Sequence, residues 1–336
     1  MWKTRFCELF GVELPIMLAG MGTVAMAELA GAVSEAGGMG TVGLVGLTPE
    51  GIHNELAAAR RLTKKPLACN QLIPFLRPGL AEAIAAAPVD AVTLFWGTPS
   101  EHISRFKDAG KKVIWQCGSA EEAADAKSAG ADMIIAQGVE AGGHVRGLIP
   151  TLVLVPQVRD AIGDLPMLAA GGLADGRGLA AVLALGADGA VFGTRFLASR
   201  ESAAHPLYKD RIVNARAEDT VHTKLHDMGW PDAAHRVLRT AVYEEWERAG
   251  RPESGSRPGE GRVVGALNHS GMAMPPLVKY TVMPPAEYLE GEIDEFAFYA
   301  GVSCALVKDI PPAGELVRRI AAEAREIIGQ RLAPLA

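Results

Sequence analysis

SAEEAADAKSAGADMIIAQ, residues 119–137, is the stretch whose reading decides the fold. Ser119 with Glu122 three positions on is a capping-box pattern that opens a helix, and Gly130 stops that helix. Met133-Ile134-Ile135-Ala136 behind it is a short apolar strand bounded by turn residues. The junction Ala129-Gly130-Ala131-Asp132 returns as Leu185-Gly186-Ala187-Asp188, so one helix-to-strand turn is used twice. Outward from this unit, apolar runs alternate with Ala-rich helical segments from Pro15 to about Ser199. The runs are 15–19, 39–44, 67–70, 91–96, 113–117, 133–137, 166–170 and 190–193. Short continuous apolar runs alternating with helices describe a parallel sheet covered on both faces, and eight such strands close a (β/α)8 barrel. The expected class is therefore α/β, a TIM barrel over residues 1–204.

After Ser199 the alternation stops. Residues 205–250 read as helices rich in His, Arg, Glu and Trp, and 251–262 is a Pro/Gly/Ser loop. The expectation is an inserted, mainly helical second domain over 205–300 and a C-terminal segment, 301–336, folded back onto the barrel. Leu316, Ile320, Ile327 and Ile328 give that last segment an apolar helical face.

The chain has 336 residues, of which 49% are hydrophobic and 21% charged, with a net charge of -6. No basic face results, which sets nucleic acid aside as a partner. Cys7, Cys69, Cys117 and Cys304 are far apart and make no CxxC pair, so neither a metal site nor a disulfide framework is expected. Met1 to Leu14 lacks the apolar centre of a signal peptide, and the uncharged run 14–27, broken by Pro15 and glycines, is too short for a membrane span. A cytoplasmic protein without a membrane partner is the reading, and self-association into a homo-oligomer stays open.

The chemistry concentrates in Gln137-Gly138-Val139-Glu140-Ala141-Gly142-Gly143-His144-Val145-Arg146-Gly147. Strand starts at Asp90, Lys112, Asp132, Pro166 and Asp188 put 34 residues in the third step and 20 to 22 in the others, and this loop is the surplus. It leaves the C-terminal end of a strand, the face on which barrels build active sites. His144 is the candidate proton acceptor, since an imidazole titrating near neutrality suits abstraction from a weak carbon acid. The competing reading is a histidine that orders its own loop. Glu140 pairs with an arginine or caps a helix, and Arg146 orders the loop.

Ala169-Ala170-Gly171-Gly172-Leu173-Ala174-Asp175-Gly176 follows the seventh run, and Gly193-Thr194-Arg195 follows the eighth. Loops at these two strands commonly hold a phosphate on backbone N–H groups and a helix N-terminus, although each loop alone reads equally as a tight turn. Asp175 is the expected N-cap of the helix after the first of them. Amide side chains at strand ends, Asn70, Gln71, Gln116 and Gln137, are placed to hydrogen-bond a polar heterocycle. Flavin mononucleotide satisfies both features. Gly38-Met39-Gly40-Thr41-Val42-Gly43 matches GxGxxG but runs from helix to strand, the wrong order for a dinucleotide fingerprint. His222 and His226 read as solvated residues on one helix face, without a third metal ligand.

Together, Leu14-Pro15-Ile16-Met17, Ala136 to His144, Ala170 to Gly178, Gly193-Thr194-Arg195-Phe196 and Tyr299-Ala300-Gly301 resemble the nitronate monooxygenase family, formerly the 2-nitropropane dioxygenases. Flavin-type enoyl-acyl-carrier-protein reductases and some NAD(P)H:quinone reductases are similar in the same strings. The resemblance implies an FMN-containing barrel in which Gly20, Met21, Gly22, Asn70, Gln137, Gly142, Gly171, Gly172, Gly193 and Thr194 contact FMN and His144 is the catalytic base. It implies a small-molecule substrate, a nitronate oxidised with O2, or alternatively a quinone or enoyl thioester reduced with NAD(P)H. A barrel that binds FMN or another phosphate ligand without turnover is the third reading. Val302 follows Gly301 where family members often carry Gln; if that position contacts flavin or substrate, the expectation is a substrate that departs from the family's named one.

Overall fold

All eight apolar runs are strands of one parallel sheet. The computed structural model of the protein describes residues 2–335. Through the barrel the elements are α1 (Arg5–Phe10), β1 (Ile16–Leu18), α2 (Ala27–Glu35), β2 (Gly40–Gly43), α3 (Pro49–Leu62), β3 (Leu67–Leu72), α4 (Pro78–Ala86), β4 (Ala91–Phe95), α5 (Ser100–Asp108), β5 (Lys112–Cys117), α6 (Ala120–Ser128), β6 (Met133–Gln137), β7 (Gly143–His144), α7 (Thr151–Ile162), β8 (Met167–Ala170), α8 (Gly176–Ala184), β9 (Ala190–Phe192) and α9 (Thr194–Leu197). β7 stands outside the barrel, whose order is β1-β9-β8-β6-β5-β4-β3-β2. Leu18 N–H donates to the Met39 carbonyl and Met39 N–H to the Ile16 carbonyl, each at 2.9 Å, which joins the two ends of the sheet. The GxGxxG string runs from the turn after α2 through β2, helix to strand as read.

Side chains alternate between two cores. Val42, Cys69, Val92, Val113 and Ile134 pack outward beneath the helices, while Met17, Met39, Ala68, Ala91, Ile114 and Ile135 fill the barrel. α1 is capped by Thr4, stopped by left-handed Gly11, and adds Phe6 and Cys7 to the interior cluster, plugging the barrel. The repeated turn has a physical reason: the Asp132 carboxylate accepts the Val113 N–H at 2.8 Å, and Asp188 accepts the Met167 N–H at 3.0 Å. Asp90 does the same for Leu67 at 2.9 Å. Each aspartate thus ties an amide in the first two residues of the strand beside its own.

The region after the barrel departs from the expected helical domain. It holds α10 (Pro206–Asn214), β10 (Thr220–Thr223), β11 (His235–Leu238), α11 (Ala241–Arg248), β12 (Val263–Leu267), β13 (Leu277–Val278) and β14 (Leu289–Gly291), with the strands in two three-stranded sheets, β10-β11-β7 and β13-β12-β14. Thr220, Val221 and Thr223 are β-branched, and Gly229 and Pro231 break any helix between β10 and β11. His222 accordingly lies on a strand, and His226 is buried in the turn behind it rather than solvated on a helix. Residues 251–262 form the expected loop. α12 (Ala313–Ile327) buries Leu316 and Ile320 and packs on α8 and α2. No described helix is long and apolar enough to cross a membrane.

Candidate active site

The C-terminal ends of the barrel strands open into a cavity of about 1280 Å³, measured with its mouth. Gly20, Met21, Gly22, Asn70, Gln137, Gly142, His144, Gly171, Gly172, Gly193 and Thr194 all line it, as does Gln116. Gln71 is not a lining residue, and its amide donates to the Leu72 carbonyl at 2.9 Å. Val302 also stands outside the lining, its N–H donating to the Glu140 carbonyl at 3.1 Å, whereas its neighbour Ser303 faces the cavity.

The long loop after β6 is a built element. Its β7 pairs antiparallel with β11, His144 opposite His235 and Gly143 opposite Arg236. The Arg236 guanidinium donates to the Val139 carbonyl at 3.0 and 3.2 Å, and Gln137 Nε2 donates to the His144 carbonyl at 3.1 Å. Glu140 caps a helix: its carboxylate accepts the Thr151 N–H at 3.0 Å and the Thr151 hydroxyl at 2.9 Å at the start of α7, where Pro150 has no capping side chain. Arg146 pairs with Glu122 and lies over the Trp96 ring, so it orders the loop. Ser119 accepts the Glu122 N–H as the capping pattern requires, but the Glu122 carboxylate turns to the Gly118 N–H and to Arg146.

His144 sits in an aromatic enclosure. Trp230 stacks on its ring with centroids 4.1 Å apart and planes 29° apart, and His235, Tyr299 and Trp96 approach at 5.4, 5.4 and 6.1 Å. Its Nε2 is buried without a hydrogen-bond partner. Burial first, then the neighbouring His235 and His226, hold its pKa well below 6.5. The expectation of an imidazole titrating near neutrality is thereby corrected: the ring is neutral throughout the neutral range because the cation is desolvated. His235 is pushed down to about 4 by burial, and its ring nitrogens meet the Ala233 carbonyl at 2.9 Å and the His226 N–H at 3.3 Å. Phe75, Trp96 and Trp230 escaped the sequence reading. The available signal was positional, since Trp96-Gly97 and Gly229-Trp230-Pro231 each set a rare, large ring in a turn.

The opposite wall suits a nucleotide-like ligand. Gly171 and Gly172 are consecutive left-handed residues, φ +100° and +76°, a backbone that leaves the loop free of side chains. The α8 terminus itself is taken: Asp175 accepts the Arg177 and Gly178 N–H groups, and Gly176 N–H donates to Glu323. The N–H groups of the α8 N-terminus that the sequence suggested are thus occupied by side chains of this chain, whereas the 171–172 and 193–194 loops line the cavity. A methyl group on Gly142 would lie 2.4 Å from the Gly301 nitrogen, so this glycine permits the 300–301 backbone to dock, and Gly301 N–H donates to the Thr194 hydroxyl at 3.0 Å. Gln137 Oε1 is buried with no partner, an acceptor that a ring N–H of a flavin satisfies. The residues fit that group. Among the described residues, no cluster of His, Cys, Asp and Glu is arranged for a metal ion.

A family model described as nitronate monooxygenase matches residues 3–81 and 79–323. The (3aS,4S,5R,7aS)-5-hydroxy-7a-methyl-1-oxo-octahydro-1H-indene-4-carboxyl-CoA dehydrogenase of Mycobacterium tuberculosis is 37% identical over 252 residues, 74% of this chain and 70% of that protein. FabK from Thermotoga maritima superposes with a TM-score of 0.80 at 31% identity, covering 100% of both chains. The nitroalkane oxidase from Streptomyces ansochromogenes gives 0.77 at 29% identity, covering 98% of this chain and 99% of that one.

Proposed function

The chain belongs to the nitronate monooxygenase family and is a flavin-dependent oxidoreductase, and from that premise we propose that it binds FMN and oxidises alkyl nitronates, or their parent nitroalkanes, with O2 to a carbonyl compound and nitrite. The observation that carries the reading is the His144 imidazole, its Nε2 buried and unpartnered, in the same cavity as the glycine loops. The cavity-lining residues that would hold FMN are Gly171, Gly172, Gly193 and Thr194, through their backbone N–H groups, with Asn70, Gln137, Gly20 to Gly22 and Gly142 beside them. A bound flavin would supply the electron-transfer chemistry between substrate and dioxygen. His144 accepts the proton from the carbon beside the nitro group. An uncharged nitroalkane enters the apolar enclosure without paying for desolvation of an anion, and the imidazolium and nitronate formed there attract each other strongly in a medium of low dielectric. The test is oxygen uptake with nitrite release on adding nitronate or nitroalkane to FMN-loaded protein. No uptake with either overturns the reading.

A second reading, turnover of a quinone or an acyl thioester with NAD(P)H, is favoured by one feature. Beyond His144 the wall continues through Val45, Leu72, Phe75, Val282, Met283 and Pro284, an apolar surface larger than a small nitroalkane covers. The similarity to a CoA-thioester dehydrogenase agrees with it. Anaerobic mixing with NADH or NADPH separates the two: rapid bleaching of the flavin colour supports the second, an unchanged spectrum the first.

A further inference from the structure

The imidazole of His144 is placed by two parts of the chain. Its backbone is set by the β7–β11 ladder and by Gln137. Pairing of a backbone leaves the side-chain torsions free, and here the ring plane is met by Trp230, which comes from the turn between β10 and β11.

Trp230 is itself firmly held. Gly229 at φ +103° and Asp232 at φ +61° bracket its turn, and Trp230 N–H donates to the Asp227 carbonyl at 2.8 Å. Met228 donates to the Tyr280 carbonyl at 3.0 Å and accepts the Val282 N–H at 3.2 Å, which ties the turn to the neighbouring strap. The buried indole is wedged edge-on between Phe75 at 5.2 Å and Trp96 at 4.8 Å. Trp96 stands at φ +69°, a region that a bulky residue occupies only when its surroundings hold it there. Two barrel aromatics and one turn from beyond the barrel converge on a single indole, and that indole lies flat on the candidate base.

We propose that Trp230 is the positioning residue of this site, fixing the plane of the His144 ring and keeping water from it. The kinetic part rests on the reading of His144 as proton acceptor, while the structural part rests on the stacking alone. The titratable and charged groups around His144 are His235 from β11, His226 from the turn after β10, and Tyr299, whose hydroxyl donates to the Val282 carbonyl at 2.7 Å. His222 on β10 and Arg236 on β11 share its sheet, and on its own loop Arg146 is paired to Glu122 and Glu140 to Thr151. Replacing Trp230 removes none of these, so a change in His144 titration reports the indole.

The test is NMR titration of ring-labelled histidines in the FMN-loaded enzyme, with the His144 signal assigned by His144→Ala. Trp230→Ala admits water to the ring, and the His144 midpoint rises toward the ordinary histidine value by about 1 pH unit or more. The acid limb of kcat/KM moves up with it, and the rate recovers in part at higher pH. Trp230→Phe keeps a stacking ring and keeps both midpoints near wild type. Should the alanine variant not fold, Trp230→Leu carries the same comparison with less lost volume. An unmoved His144 midpoint in the alanine or leucine variant overturns the proposal, and so does a phenylalanine variant that shifts as far as they do. If His144→Ala leaves turnover intact, the catalytic reading fails, while the midpoints still decide the role of Trp230.

Discussion

At His144 the controlling quantity is solvation. The ring is neutral because burial disfavours its cation, and its free Nε2 is the one acceptor of proton-transfer strength in the cavity lining. His144→Ala is expected to lower kcat/KM by about 10²- to 10⁴-fold, the usual contribution of a positioned general base, while the flavin stays bound; steady-state rates beside a visible spectrum check both. At the other wall, Gly171→Ala puts a methyl group 2.8 Å from the Gly138 carbonyl at a φ of +100°, and a weaker FMN affinity by titration of apo-protein is the expected outcome. Both residues were legible, because an isolated imidazole and a glycine pair after barrel strands are conspicuous in sequence. The state of the imidazole was not legible. It depends on Trp230 and His235, some 90 residues away in the chain, and nothing near His144 announces them.

At the level of elements, the barrel strands were readable because both their faces are buried, which writes them as continuous apolar runs. β7, β10 and β11 carry mixed residues and exist through pairing with one another, so local composition favoured a helix for the last two and a loop for the first. Glu140 shows how such a loop earns rigidity. It supplies to α7 the cap that Pro150 lacks, and Glu140→Ala is expected to cost about 1 kcal/mol or somewhat more, read as a lower urea midpoint, with Glu140→Gln recovering part of it. Gly142→Ala is expected to act on the same assembly by forcing the 300–301 backbone away, so that turnover falls even where the flavin still binds.

For the whole molecule, two buried histidines and the part-buried His144 set the acid limit. His226 and His235 are held down to about 3 and about 4, and His144 is shifted the same way. Below pH 6.5 the unfolded chain takes up protons that the folded chain refuses, so stability falls as pH drops through that value and toward 4, whereas above it these groups add no pH dependence. Near pH 5 the loss is on the order of 2 kcal/mol for His235 and similar for His226, and urea unfolding at pH 7.5 and pH 5 measures it. The β7–β11 ladder has one more effect, on traffic. A strand that carries the base is stitched to the structure beyond the barrel by residues 235 and 236, so swinging that structure outward as a lid tears the base out of place. Passage of reactants and products without displacing His144 therefore calls for movement of side chains outside that ladder, not for a hinge swing of the ladder itself.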